Sequence, residues 1–266
     1  MSRRGDPGGA FLTAARGGRP SRRLLWIMRQ AGRYLPEYRE VRSRFSFLEL
    51  CNTPAAAAEV TLQPVRRFGL DAAILFTDLL IPLPPMGIGL RYEPGPVLER
   101  TIVTRADVDS LVVPDPERDL TPMLDTVRLA REQLAPEVAL IGFVGAPFTM
   151  ACYLIEGRGS KNWDKARRLL HEDPGTFSFL LTRITDALQP LVTALVAAGC
   201  DAVQVFDSWA AVLGSRDWAE FCAPQSDRLL AAARSAGAVA IHYVNGAAQH
   251  LERMSASPAA VLGIDW

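Results

Sequence analysis

The stretch Trp26-Ile27-Met28-Arg29-Gln30-Ala31-Gly32-Arg33-Tyr34-Leu35-Pro36-Glu37-Tyr38-Arg39-Glu40 decides how the rest of the chain is read. Leu24 to Met28 is a short apolar run bounded by turn signals, which predicts a buried strand. It stops abruptly at Arg29-Gln30-Ala31-Gly32-Arg33, a turn that sets two guanidiniums beside two small residues. A guanidinium offers several N–H donors in a fixed fork and suits carboxylate or phosphate. Ala31 and Gly32 carry no large side chain, so backbone N–H groups there can come close to a ligand.

The same pattern, a short apolar run halted by polar residues, recurs along the chain. Ala72-Ala73-Ile74-Leu75-Phe76 stops at Thr77-Asp78, and Ala202 to Phe206 stops at Asp207-Ser208. Val138 to Val144 leads into Gly145-Ala146-Pro147, Val239 to His242 is a further strand, and Val261 to Ile264 stops at Asp265-Trp266. Helical segments lie between them. Thr53-Pro54 puts an N-cap before a proline at the first helical position and opens a helix to Phe68, which Pro64 should kink and Gly69 should end. Thr121-Pro122 opens another to about Leu134, and a helical stretch runs to Glu156. The longest spans Pro174 to Ala198, its apolar residues stepping by threes and fours from Phe177 through Leu195. Ser215 should cap a helix to about Ser235, and Gly246 to Met254 is a last one. Ile81–Pro96 reads as a Pro- and Gly-rich loop, with a weak strand signal at Val97–Val103. Strands alternating with helices give an α/β fold with a parallel sheet. With six strands and no Gly-x-Gly-x-x-Gly fingerprint, the expected architecture is a (β/α)8 TIM-type barrel in one domain, residues 1–266, with 1–10 disordered and a short helix around Phe11–Arg16.

Composition narrows the function. The 266 residues carry no net charge, yet residues 1–50 hold eleven Arg against Asp6, Glu37, Glu40 and Glu49. Such asymmetry points to an acidic partner. No helix-turn-helix, zinc-finger spacing or aromatic-basic platform accompanies it, so a small polyanion is expected rather than nucleic acid. Lys161 and Lys165 are the only lysines and neither ends an apolar strand, which argues against Schiff-base chemistry. Cys51, Cys152, Cys200 and Cys222 form no Cys-x-x-Cys pair and read as reduced core residues of a cytoplasmic protein. His171, His242 and His250 show no metal-ligand spacing, so no metal is expected. No apolar run approaches the ~20 residues of a membrane span. The loop Gly157-Arg158-Gly159-Ser160 lacks the spacing of a phosphate-binding P-loop.

In parallel barrels the reacting residues follow the carboxyl ends of the strands. Those positions are Arg29, Gln30 and Arg33, then Asp78, Tyr153, Asp207 and Ser208, and His242. The set suits binding of a polycarboxylate and stabilisation of a developing positive charge. Taken singly, each has a plainer role: Asp78, Asp207 and Ser208 as helix caps, Tyr153 at the edge of a core, His242 as a hydrogen-bonded structural histidine.

The string Trp26 to Glu40 resembles the N-terminal signature of the uroporphyrinogen decarboxylase family, with Leu24 where that family usually has proline. Gly142-Phe143-Val144-Gly145-Ala146-Pro147-Phe148-Thr149-Met150-Ala151-Cys152-Tyr153-Leu154-Ile155-Glu156-Gly157 resembles its second signature, Met150 replacing the usual Leu or Val. Thr61 to Phe68, Phe76-Thr77-Asp78 and Val203 to Ser208 are also similar, so the resemblance runs in order over nearly all of residues 10–266. It implies cofactor-free decarboxylation of the four acetate side chains of uroporphyrinogen III to coproporphyrinogen III, by a cytoplasmic homodimer that needs neither nucleic acid nor membrane. Asp78 would accept the pyrrole N–H hydrogens and stabilise a protonated pyrrole. Arg29, Arg33 and Arg42 would hold substrate carboxylates, with Arg29 also a candidate at the catalytic centre. Gln30, Ala31 and Gly32 would line the same edge, and Tyr153 and Ser208 would donate to further carboxylates. Two alternatives stand beside this: an inactive or binding-only relative, and a cobalamin- or zinc-linked methyltransferase of related fold. The family pattern continues beyond Gly263-Ile264-Asp265-Trp266 with an eighth strand and more helices, so an incomplete barrel, poorly soluble or weakly active alone, is expected.

Overall fold

A computed structural model describes residues 9–265. Seven strands occur among them: β1 (Ala72–Ile74), β2 (Leu90–Tyr92), β3 (Pro96–Leu98), β4 (Ala139–Gly145), β5 (Ala202–Asp207), β6 (Val239–Val244) and β7 (Val261–Gly263). Five form one parallel sheet in chain order, β1-β4-β5-β6-β7. All its ladders are parallel, so the carboxyl ends of its strands, and the turns that follow them, lie at one end. β4 and β5 are almost wholly buried, as expected where both faces of a parallel sheet are covered. Outside lie the helices Pro54–Phe68, Thr121–Gln133, Pro174–Ala198 and Ala223–Ser235, which bury Leu62, Leu140, Phe148, Leu188, Val203 and Leu229 in the main core. On the inner face, Ile74, Ile141, Phe206 and Ile241 gather against Phe11 and Leu12 of the helix Gly9–Ala15. Residues 9 and 10, expected to be disordered, belong to that helix; residues 1–8 lie outside the described region.

Two expectations need correction. Leu24–Met28 is extended beside β1 but is not a ladder strand. Side chains replace most of the backbone pairing. The Asp71 carboxylate accepts from Leu25 N–H at 2.7 Å and pairs with Arg22, while Gln30 Nε2 donates to Ala72 O at 3.1 Å and Gln30 Oε1 accepts from Ile27 N–H at 3.2 Å. One backbone bond remains, from Asp71 N–H to Leu25 O at 3.0 Å. Of the weak strand signal at Val97–Val103 only Val97 and Leu98 belong to a strand, β3, which pairs antiparallel with β2, inside the expected loop Ile81–Pro96, in a hairpin outside the main sheet, with Tyr92 opposite Pro96. No ladder closes the sheet into a barrel among the described residues.

Helices follow the predicted bounds closely where proline and glycine set them. Pro54–Phe68 runs unbroken through Pro64 and ends at Gly69, whose φ of 62° is the left-handed conformation of a C-cap. The segment predicted as one helix from Ser215 is a single turn, Ser215–Asp217, a π-helical stretch, Trp218–Cys222, and then Ala223–Ser235. Pro174–Ala198 is, contrary to expectation, long and apolar enough to cross a membrane by length and composition, but its apolar stripe is buried in the core. At the carboxyl end of β6, Gly246 has a φ of 72°, and a Cβ there would lie 2.6 Å from that of Ala211. That close approach lets the turns after β5 and β6 touch.

Candidate functional site

At the carboxyl end of the sheet is a cleft of about 620 Å³, within the usual range for a small-molecule site. Arg29, Ala31 and Gly32 line it from the first turn, Thr77 and Asp78 from the turn after β1, and Pro96 from the hairpin. Tyr153 enters from the helix Pro147–Glu156, Ser208 and Trp209 follow β5, and Asn245 follows β6. Phe143, Phe206 and Tyr243, on three adjacent strands, form an edge-to-face row at its floor, with centroids 5.4 and 5.7 Å apart.

Among the described residues, Asp78 is the only carboxylate on the cleft wall. Its Oδ1 accepts from Leu80 N–H at 2.9 Å, so the capping role open to it in the sequence is filled by one oxygen. Burial pushes its pKa above the ordinary aspartate range, while the Leu80 N–H, the Tyr92 hydroxyl and the charge of Arg29 act the other way. Arg29 is exposed and makes no hydrogen bond or ion pair among the described residues, which leaves its whole donor fork available. Its charge reaches Asp78, Tyr153 and Tyr243.

The other residues of the first turn separate. Gln30 is fully buried and spent on the turn itself: its side chain holds Ile27 and Ala72, and its carbonyl accepts from the Tyr34 hydroxyl at 2.5 Å. Arg33 is exposed outside the cleft lining, its carbonyl accepting from Arg39 at 3.0 Å. Arg42 is half-buried, donates to the Phe45 carbonyl after the helix Pro36–Arg44 and acts on the Tyr38 hydroxyl; Tyr38 lines the cleft, Arg42 does not.

Tyr153 is held by aromatic contacts, with the Trp163 and Trp209 rings 5.0 and 6.1 Å away. Burial, with the Asp78 charge second, pushes its pKa up to about 12, so its hydroxyl is a hydrogen-bond donor at neutral pH. Trp163 is fully buried and is the only non-glycine residue with positive φ (55°) among the described residues. Ser208 accepts from Asn245 Nδ2 through its carbonyl at 3.2 Å, which leaves its hydroxyl to the cleft. Asp207 and His242 point the other way, between sheet and helices. Asp207 accepts from Trp218 Nε1 at 2.7 Å and from the Thr149 hydroxyl at 3.2 Å, and His242 lies against the Trp218 ring.

Cleft residues missed in the sequence include Phe206, Tyr243, Asn245 and Trp209. Strand alternation would have found two of them. If Ser208 faces the cleft, Phe206 does too, and on β6 the residue paired with Phe206 is Tyr243. All four cysteines are free and buried, and burial pushes the Cys200 and Cys222 thiols up. No cluster of three potential metal ligands occurs among the described residues.

Parallel α/β sheets of this kind keep their chemistry at the carboxyl ends of the strands. Here, among the described residues, the cleft at that end has one carboxylate in its lining and, at its rim, a cation with no ion pair, the arrangement of a barrel-type enzyme acting on an anionic ligand. Residues 7–266 match the family model described as uroporphyrinogen decarboxylase (URO-D). The chain is 46% identical to a uroporphyrinogen decarboxylase of Geobacter metallireducens and 48% identical to that of Syntrophotalea carbinolica. Each alignment covers 96% of this chain and 75% of the relative. A solved methyltransferase from Methanosarcina mazei shares the fold, with a TM-score of 0.78 at 18% identity over 97% of this chain and 75% of that one. The chain belongs to the uroporphyrinogen decarboxylase family.

Proposed function

We propose that this protein removes the carboxyl groups of the four acetate side chains of uroporphyrinogen III, giving coproporphyrinogen III in haem biosynthesis, with no cofactor. The observation that supports this best is Asp78, the one carboxylate among the described residues of the cleft lining, which shares that lining with the Arg29 guanidinium and feels its charge. Loss of CO2 from an acetate on a pyrrole needs somewhere for the C–C bonding pair to go. Protonation of the ring carbon next to the acetate-bearing one makes the pyrrole a cation that takes that pair. The exocyclic carbon then gains a proton to become methyl, the ring carbon gives its proton back, and the net change is H⁺ for CO2.

In this reading Asp78 accepts the pyrrole N–H groups and stabilises the cation as it forms, the kind of preorganised charge that dominates many active sites. Arg29 holds a substrate carboxylate, and charge-assisted contacts of that type contribute roughly 1.5–3 kcal/mol. The Tyr153 and Ser208 hydroxyls and the Ala31–Gly32 backbone serve other carboxylates, while Arg33 and Arg42 reach a substrate carboxylate only by turning toward the cleft. The aromatic floor packs the macrocycle. Cytoplasmic location, a homodimer and a single domain over 1–266 belong to the same proposal and rest on family membership.

The test is incubation with uroporphyrinogen kept reduced under anaerobic conditions, separating products by carboxyl number. Stepwise appearance of seven-, six-, five- and four-carboxyl porphyrinogens is expected. Uroporphyrinogen recovered unchanged overturns the reading.

A further inference from the structure

The Tyr92 hydroxyl is shut off from solvent and meets no acceptor in good hydrogen-bond geometry among the described residues, while the Asp78 carboxylate lies within its reach. A buried hydroxyl whose bond is not fully formed is uncommon and needs a reason. Tyr92 ends β2, opposite Pro96, which itself lines the cleft. Its ring is fixed edge-on to Phe47, another cleft residue, with centroids 4.8 Å apart. Phe47 in turn packs on Phe76, two residues before Asp78. The hydroxyl thus lies behind the cleft wall, where it is not presented to a bound ligand. The ionisable groups that act on it are Asp78 first, then Cys51 and Tyr153.

From this placement we infer that Tyr92 is a positioning residue for Asp78: its hydroxyl donates to the Asp78 carboxylate when that group is ionised, and holds it aimed at the cleft. Leu80 N–H already occupies Oδ1, so a second donor would fix the carboxylate plane from the opposite side. It also answers the burial that favours the neutral acid, alongside the Arg29 charge. The Cys51 thiol, pushed up to about 12 by burial, stays neutral and does not compete for the proton at physiological pH. Removing the hydroxyl leaves the ring, its Phe47 contact and the hairpin in place.

The functional part rests on the decarboxylase reading; the carboxyl titration does not. In Tyr92→Phe, the Asp78 carboxyl resonance, followed by NMR in 13C-labelled protein and assigned by its loss in Asp78→Asn, should titrate about one pH unit higher than in the wild type. With porphyrinogen substrate, kcat should fall about tenfold at neutral pH with KM unchanged, and the acid side of the kcat profile should move up with the titration. Added to Asp78→Asn, Tyr92→Phe should have no further effect, because it acts through that carboxylate. An Asp78 titration unmoved in Tyr92→Phe overturns the inference whether or not the protein turns over. A shifted titration in a protein that never decarboxylates upholds it and overturns the function instead.

Discussion

Asp78 and Arg29 carry the account at the scale of single residues. Both stand directly after apolar segments that end at the cleft, and both were legible in the sequence as polar residues halting apolar runs. Arg33 and Arg42 were not separable from Arg29 in that way, since sequence spacing does not say which guanidinium a carbonyl will take; Phe45 O takes Arg42. Gln30 likewise looked like a ligand-facing amide and is spent inside the turn. Arg29→Lys should raise KM for the porphyrinogen roughly tenfold with little change in kcat, because a point charge cannot replace a planar fork. Unchanged KM would assign Arg29 to the solvated surface. On the proposed function, the acid side of the kcat profile should follow ionisation of Asp78. Because its pKa is raised, activity should fall with decreasing pH through a midpoint above the ordinary aspartate range. A midpoint at or below that range would mean another group limits the rate.

Among the elements, β5 and β6 show why a strand-end carboxylate or imidazole is not yet a site. Asp207 and Ser208 are neighbours, so alternation sends one to the helices and the other to the cleft. Sequence could not say which, because either could have capped the next turn. The side that Asp207 and His242 share has a calculable consequence. Burial raises Asp207 to about 6, against the Trp218 and Thr149 hydrogen bonds, and lowers His242 to about 4, with Arg253 adding to the effect. Asp207, raised, contributes most to stability below its unfolded value near 4, and that contribution is lost as pH rises through about 6. His242, lowered, contributes above its unfolded value near 6.5 and loses this as pH falls toward about 4. Over the same window the two oppose each other, each by about 3 kcal/mol. Asp207→Asn should therefore lose stability on acidification from pH 6.5 to 4 faster than the wild type, and His242→Leu should lose it more slowly. Urea unfolding across that range checks this; parallel slopes for all three proteins would contradict it. The hairpin of β2 and β3 was the least legible element, because its pairing lies outside the alternating strand–helix pattern that made the rest readable.

For the whole molecule, the sheet leaves a second cavity of about 500 Å³ on its inner face, between Leu24–Met28 and β7. Phe11, Trp26, Met28, Ile241 and Val261 line it, and at its margins Leu25 and Ile264 are 59% and 62% exposed. Exposed apolar side chains of this kind promote association between molecules. Light scattering should rise with concentration, and Leu25→Lys with Ile264→Lys should move that onset upward without altering turnover. An unmoved onset would place the sticky surface elsewhere. The α/β class and the parallel order of the sheet could be read from the sequence because each strand is a continuous apolar run. The margin could not, since Leu24–Met28 reads as a strand whether a ladder or the side chains of Asp71 and Gln30 hold it in place. On the proposed function the decisive effect is electrostatic: one carboxylate, Asp78, would stabilise a cationic pyrrole. The most direct test is the single-turnover rate of the first decarboxylation, with binding measured separately, in wild type and Asp78→Asn. The rate in the variant should be lower by about 10²–10³-fold, with binding of the porphyrinogen changed far less. A first decarboxylation as fast in Asp78→Asn as in the wild type would contradict it.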